Sequence, residues 1–383
     1  MTTETSKEHE APEGNTSVWS LALIARNEEA TIGQVLDDAS AFCDELVVVD
    51  TGSTDDTVDI AKARGAKVHH FEWVDDFSAA RNFSFDQCHG DWIVWLDADD
   101  RVPPVAQEGF RALRRQLAGR DDLDGVMVTY RIQFSEQNRD VCAYSFDRER
   151  VHRRRAELRW VGPVHEVIAL PADRWMRWPD AWVEHRPLPD RPDKKRDRNL
   201  GILERARAAG DHSPRTLFYY ANELRDHRRF EEALTTYREY LTVSDLEWEK
   251  YSALLHMADC TQAIGQPEER LRLLFDAVAL DSRRAEAFNR LGAFFYDRRD
   301  WQRAIPFFVA ATSVERPKDG FISDADYAWL PWDYLAICLN ECGRAREALE
   351  HTLRALVTTP DRKRLLENIP FYLDRLNEHE RGH

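Results

Sequence analysis

The chain has no apolar run near the roughly 20 residues that span a bilayer. Residues 1–17, MTTETSKEHEAPEGNTS, are polar and lack the apolar core of a secretory signal. We therefore expect a soluble, cytoplasmic protein with a disordered tail over 1–17. The six cysteines, Cys43, Cys88, Cys142, Cys260, Cys338 and Cys342, contain no C-x-x-C pair, which argues against a zinc or disulfide framework. Cys338 and Cys342, four apart in an apolar helical pattern, read as small core residues. Positive charge is in deficit. The formal net charge is −16 and the pI about 5.3, so neither nucleic acid nor an anionic membrane is the expected main partner. Glycine-rich phosphate loops are missing as well: no G-x-G-x-x-G follows the first apolar run and no G-x-x-x-x-G-K occurs.

At 383 residues the chain is too long for one comfortable core. From Val18 to about Val102, short apolar runs alternate with amphipathic stretches. SLALIA, ELVVVD, AKVHHFEW and DWIVWLD read as strands; Ala30 to Phe42, Asp55 to Arg64 and Ser78 to Cys88 read as helices. This interleaving predicts an α/β domain with a mostly parallel sheet, helices on both faces and ligands beyond the carboxyl ends of the strands. VMVTYRI and RWVGPVHEVIAL extend the strand-like character, and RPLPDRPD ends it.

From about Asp193 the pattern turns helical. Ala233, Arg270, Ala304 and Ala348 align at spacings of 37, 34 and 44, close to the ~34-residue tetratricopeptide period. The third unit matches best, with Phe288, Leu291-Gly292, Phe295, Ala304, Phe308, Ala311 and Pro317. The second is degenerate at Arg270. The extra length around Pro317 to Asp326 predicts a surface insertion, and Pro306 is expected early in a helix, where proline costs least. The boundaries we assign are a tail over 1–17, an α/β domain over 18–192, and a linker helix with tetratricopeptide-like repeats over 193–383.

The strand DWIVWLD runs into three clustered acids, Asp97, Asp99 and Asp100. Clustered carboxylates repel unless a cation is supplied, and hard oxygen ligands favour Mn2+ or Mg2+, which keep positions open for phosphate oxygens. The competing reading is a solvated turn in which Asp99 or Asp100 caps the helix after Pro103.

Four motifs in order, Ala25-Arg26-Asn27-Glu28, Val47 to Asp55 (VVVDTGSTD), Phe77 to Asn82 (FSAARN) and Asp97-Ala98-Asp99, make residues 18–200 resemble a bacterial family 2 glycosyltransferase with the GT-A fold. Val164-His165-Glu166 and Lys195 to Asn199 resemble one branch that carries helical repeats. The resemblance implies an inverting transfer from a nucleotide-diphosphate sugar, most simply UDP-linked, to a peptide, protein or cell-surface glycan. The helical repeats would hold that acceptor or pair with a second copy.

The same resemblance implies that Ala25, Arg26 and Asn27 line the nucleotide pocket and that Asp50 accepts from the base, although Asp50 also suits the turn Thr51-Gly52-Ser53. Asp97 would face the ribose or share the ion, with Asp99 as the direct metal ligand. His165 and His185 compete for a further metal position. Glu166 or Asp147 would be the base, the alternative for Glu166 being only to orient its surroundings. As neighbours on a strand, His165 and Glu166 should face opposite ways. Arg81 is a donor to nucleotide or phosphate, or else pairs with Asp75 or Asp76. Within the basic run Arg148 to Arg159, Arg150 and Arg153 resemble a family R-x-F-R element with His152 in the aromatic place, which points to the phosphate pocket.

Two other readings compete. A non-catalytic repeat scaffold with a relic first domain sits poorly with intact Asp50, Arg81, Asp97, Asp99 and His165. A nucleotidyltransferase would want a glycine-rich basic loop where Arg26-Asn27-Glu28-Glu29 stands.

Overall fold

The computed structural model describes residues 17–134, 142–168, 172–187, 194–317, 322–359 and 362–381. The expected tail up to residue 16, most of RPLPDRPD and Pro360 lie outside them. The chain forms two compact units, Met1–Ala209 and Gly210–His383. The expected boundary at 192/193 falls outside the described residues.

The first unit begins with β1 (Trp19–Ala25), α1 (Ile32–Ser40), β2 (Glu45–Asp50), α2 (Thr57–Ala63), β3 (Lys67–His70), α3 (Phe77–Asp86) and β4 (Trp92–Asp97). These elements match the alternation read from the sequence. It continues with β5 (Asp100–Arg101), α4 (Pro104–Leu117), β6 (Gly125–Phe134), β7 (Cys142–Arg153), β8 (Trp160–Val161), β9 (Val167–Ile168), β10 (Trp175–His185) and α5 (Lys194–Ala208). Eight strands form one sheet in the order β3-β2-β1-β4-β7-β6-β10-β5. The first four are parallel, β7 is antiparallel to both neighbours, and β5 is antiparallel to β10. The sheet is thus mixed beyond β4.

Side-chain alternation along the buried strands builds two cores. Trp19, Leu21, Leu23, Trp92, Val94 and Leu96 meet α1 and α4 on one face. Ala22, Val47, Ile93 and Trp95 meet Phe85, Cys88, Leu158 and Trp160 on the other. RWVGPVHEVIAL is not one strand. β8 and β9 form a separate two-stranded ribbon, and Gly162 (φ 97°) and His165 (φ 55°) take left-handed backbone in the bend between them.

The second unit is helical among the described residues. Its helices are α6 (Pro214–Asp226), α7 (Phe230–Val243), α8 (Glu247–Ala263), α9 (Pro267–Leu280), α10 (Ala285–Tyr296), α11 (Trp301–Thr312), α12 (Asp324–Tyr327), α13 (Leu330–Glu341), α14 (Ala345–Thr358) and α15 (Arg362–Arg381). Pairs α6/α7, α8/α9, α10/α11 and α13/α14 are the four aligned units, and short α12 lies in the expected insertion. The register is visible in the backbone. Arg228, Gly265, Arg299 and Gly343, each five residues before its unit's aligned position, all take left-handed φ of 62°, 73°, 56° and 77°.

Ala233, Ala304 and Ala348 are fully buried. A Cβ on Gly292 would stand 2.7 Å from the Phe308 ring, which explains the glycine of Leu291-Gly292. Arg270 replaces the small residue of the second unit and tucks its guanidinium 5.6 Å from the Phe294 ring. Pro306 differs from expectation. It is the sixth residue of α11, past the first turn, so the Gln302 carbonyl loses its helical donor. No helix among the described residues is long and apolar enough to cross a membrane.

Candidate functional site

The carboxyl ends of β1, β2 and β4 open onto a cleft of about 280 Å³. Ile24, Ala25, Arg26, Glu28, Thr51, Trp73, Phe77, Arg81, Asp97, Ala98, Asp99, His185 and Arg198 line it. Two of the sequence motifs build one wall by holding each other. Asn27 takes left-handed backbone, and its Oδ1 accepts from Thr54 N at 2.8 Å while its own N donates to Ser53 Oγ at 3.0 Å. Glu28 N donates to Thr57 Oγ1 at 2.7 Å. Asp50 closes the turn by accepting from Gly52 N (3.2 Å) and Ser53 N (3.0 Å), with His70 Nδ1 3.3 Å away. Burial alone would raise its pKa; these hydrogen bonds outweigh it and hold the carboxyl below its usual value. Gly52 sits at φ +102°, a backbone conformation suited to glycine. Asp50 is thus a turn former here.

The opposite wall starts at α3. Asp76 caps it by accepting from Ala79 N at 3.1 Å, and Asn82 exchanges hydrogen bonds with Trp160 N (2.8 Å) and O (2.9 Å), tying the β8–β9 ribbon to the helix. Arg81 therefore points inward. Its Nε donates to Glu166 Oε1 at 2.5 Å and its Nη2 to Asp97 Oδ1 at 2.7 Å. The expected pairing with Asp75 or Asp76 does not form; Asp75 meets Arg205 at 2.9 Å instead. Arg150, fully buried, approaches Asp100 Oδ2 at 3.1 Å and Asp97 Oδ2 at 3.9 Å. Both guanidiniums also lie over the Trp95 ring, 4.3 Å from its centroid for Arg81 and 3.8 Å for Arg150. Burial opposes ionisation of Asp97 and Glu166. Arg81, helped at Asp97 by Arg150, overcomes it and holds both carboxyls below the usual range.

The three acids after Leu96 separate by function. Asp97 belongs to the arginine network. Asp100 is fully buried with its oxygens committed: Oδ1 accepts from Tyr130 Oη at 2.9 Å, and Oδ2 from Asp97 N at 2.9 Å. Asp99 lines the cleft. Antiparallel pairing of β5 with β10 sets His185 opposite Asp100, with Nδ1 3.5 Å from Asp99 Oδ1 and 3.7 Å from Asp100 Oδ1. Asp99, Asp100 and His185 each offer an atom within 4.8 Å of the others. The Nδ1 is buried without a hydrogen-bond partner. Burial would depress His185, but the Asp100, Asp99 and Asp97 carboxylates outweigh it and raise its pKa. An imidazole nitrogen beside two carboxylates, with no hydrogen bond of its own, is a donor set that fits a divalent cation, which would displace the proton those carboxylates favour on the ring.

Several expected site residues lie elsewhere. His165 is exposed in its bend and Asp147 pairs with Arg177 at 2.5 Å; neither lines the cleft. Arg153 donates to the Leu123 and Arg120 carbonyls and lies 4.9 Å from the Trp92 ring centroid, so the basic run contributes Arg150, one layer behind the cleft, and Arg148, whose guanidinium lies 4.9 Å from the Trp95 ring centroid. Glu166 is buried behind Arg81. Its neighbour His165 is exposed because of the bend, not because of strand alternation. Sequence reasoning missed Tyr130 and the structural part of Asp100, which depend on pairing between distant strands. It missed Trp73 and Phe77 as lining residues, which the loop after β3 and the start of α3 bring to the cleft.

Residues 20–166 match the family model described as "Glycosyl transferase family 2". A TPR repeat-containing protein of Synechococcus elongatus is 36% identical over 175 residues, covering 43% of this chain and 41% of that protein. The SPbeta prophage-derived glycosyltransferase SunS of Bacillus subtilis is 26% identical over 252 residues, covering 64% and 57%. The chain thus spans roughly half the length of these curated relatives. Among solved structures, glucosyl-3-phosphoglycerate synthase from Mycobacterium tuberculosis aligns with a TM-score of 0.36 at 22% identity, covering 50% of this chain and 79% of that one. With all four motifs assembled around one cleft and the family model matched across them, residues 20–166 of this chain form a family 2 glycosyltransferase domain.

Proposed function

We propose that this protein is a metal-dependent inverting glycosyltransferase that moves a sugar from a nucleotide-diphosphate donor, UDP-linked, to a peptide, protein or glycan acceptor. The observation that carries the reading is the orphaned His185 Nδ1 beside Asp99, at the mouth of a cleft at the carboxyl edge of the sheet. Asp99 and His185 would hold Mn2+ or Mg2+, whose charge would offset that developing on the departing diphosphate. Ala25, Arg26 and Thr51 border the nucleotide, and Asp50 keeps their loop in place. Asp97 faces the ribose and is held ionised by Arg81. Glu166 acts through Arg81, since a general base must come within hydrogen-bond reach of the acceptor and Glu166 does not line the cleft. The helical repeats of the second unit would supply the acceptor surface or pair with a second copy.

The test is nucleotide release by the full chain with Mn2+ and a panel of UDP-, GDP- and dTDP-sugars. Turnover of one donor class, abolished in Asp99→Asn, is expected. No release from any donor would remove the reading.

A further inference from the structure

Asp97 and Glu166 already offset the charge of Arg81, which leaves it little net positive charge to offer the donor's phosphates. The remaining lining cations are Arg26 and Arg198. Neither makes an ion pair among the described residues. Arg198 makes only a long 3.4 Å contact to the neighbouring Asn199 Oδ1, and its guanidinium rests 4.8 Å from the Phe77 ring centroid.

That placement is built. Phe77 is fixed by donating its N to Pro163 O at 2.9 Å and by an edge contact with Trp73 at 4.8 Å. Helix α5 is pinned to the same loop by Arg205 and Asp75 at 2.9 Å. Trp73, Phe77 and Arg198 therefore form a continuous wall from a loop into α5. A guanidinium stacked on an aromatic ring keeps its N–H edge free for a planar anion.

We propose that Arg198 binds the diphosphate of the nucleotide donor: of the two cleft arginines left once Arg81 is neutralised by Asp97 and Glu166, it is the one seated on an aromatic ring. This rests on the donor reading above. The local electrostatics agree. Arg198 is exposed at the cleft, where partial desolvation lowers its pKa and Glu166 opposes that more than Arg26 adds to it, so an arriving diphosphate would meet an accessible cation. Because the stack and the fork both need a planar group, lysine should replace Arg198 only in part.

The experiment is calorimetric titration of the full chain, with Mn2+ present, using UDP, GDP and dTDP and then the nucleoside of whichever diphosphate binds. The native chain, Arg198→Gln and Arg198→Lys are compared. Arg198→Gln is expected to weaken the diphosphate by 10- to 100-fold on the scale of a lost charged hydrogen bond, and to leave nucleoside affinity within about twofold. Arg198→Lys should fall between. Nucleoside binding doubles as the control for an intact pocket. An unchanged diphosphate affinity in Arg198→Gln would overturn the proposal while leaving the donor reading standing. Equal losses for diphosphate and nucleoside would also overturn it, by making Arg198 a residue of pocket shape. Failure of the native chain to bind any of the three diphosphates would overturn both.

Discussion

Arg81 on α3 and Glu166, 85 residues later, meet at 2.5 Å with both side chains almost fully buried, and Asp97 completes the group. Removing one partner of a buried pair leaves an uncompensated charge, at a cost of about 3–5 kcal/mol. Arg81→Met should therefore lower stability by that order and abolish nucleotide binding. Glu166→Gln keeps an acceptor for Arg81 and should cost less, about 1–2 kcal/mol. If Glu166 works through Arg81, the variant loses turnover without changing the shape of the pH–rate profile. A Glu166→Gln profile that lost its acidic limb would make Glu166 the base. Urea unfolding and initial rates read both outcomes.

Asp99 and Asp100 are adjacent and chemically identical, yet they should behave differently. Asp100→Asn strips a carboxylate from fully buried Arg150 and should cost about 3–5 kcal/mol whether or not metal is present. Asp99→Asn should melt close to the native chain and lose the response to Mn2+. Equal effects from the two substitutions would collapse the distinction.

His152 is fully buried among Phe85, Trp160 and Trp175, with Nδ1 unpartnered, and burial pushes its pKa down to about 3. The folded state keeps it neutral while the unfolded chain takes up a proton near the usual 6.5. Stability from this residue is therefore full above about pH 6.5 and falls as pH drops toward 3. Between pH 7 and 5 the loss should be about 2 kcal/mol. His152→Phe should remove that component of the pH dependence. An unchanged slope in the variant would show that other groups cause it.

The four left-handed turn residues predict a graded response. Gly265 and Gly343 occupy a conformation that costs an L-residue roughly 1 kcal/mol. Gly265→Ala should destabilise by about that amount. Arg299→Gly should come out neutral to slightly stabilising, because relief of strain is offset by the entropy of glycine. Urea midpoints would reveal any reversal of that order.

Much of this is legible in the sequence. The strands around VVVD and WIVWLD, their acidic ends and the repeat register all depend on local periodicity, which sequence displays directly. What stayed hidden depends on strand pairing. His185 reaches Asp99 only because two-residue β5 pairs with β10. Tyr130 and Arg150 reach Asp100 only because β6 and β7 fold beside β4. The motifs also looked functional where they are partly architectural. Asn27, Ser53 and Thr57 lock two loops together, and Asn82 anchors a ribbon. His165 stood out by motif, but its positive φ and exposure follow from a bend that period-two reasoning could not show.

The central claim is that Asp99 and His185 make the cleft a metal and diphosphate site. Its most direct test is the melting temperature of the full chain with UDP, GDP or dTDP, each with and without Mn2+, for the native protein and Asp99→Asn. The account predicts that one nucleotide raises the midpoint only when Mn2+ is present, and only in the native protein; at 100 times Kd the gain is about 2.7 kcal/mol. A nucleotide shift that is equal without Mn2+, or that survives in Asp99→Asn, would contradict it.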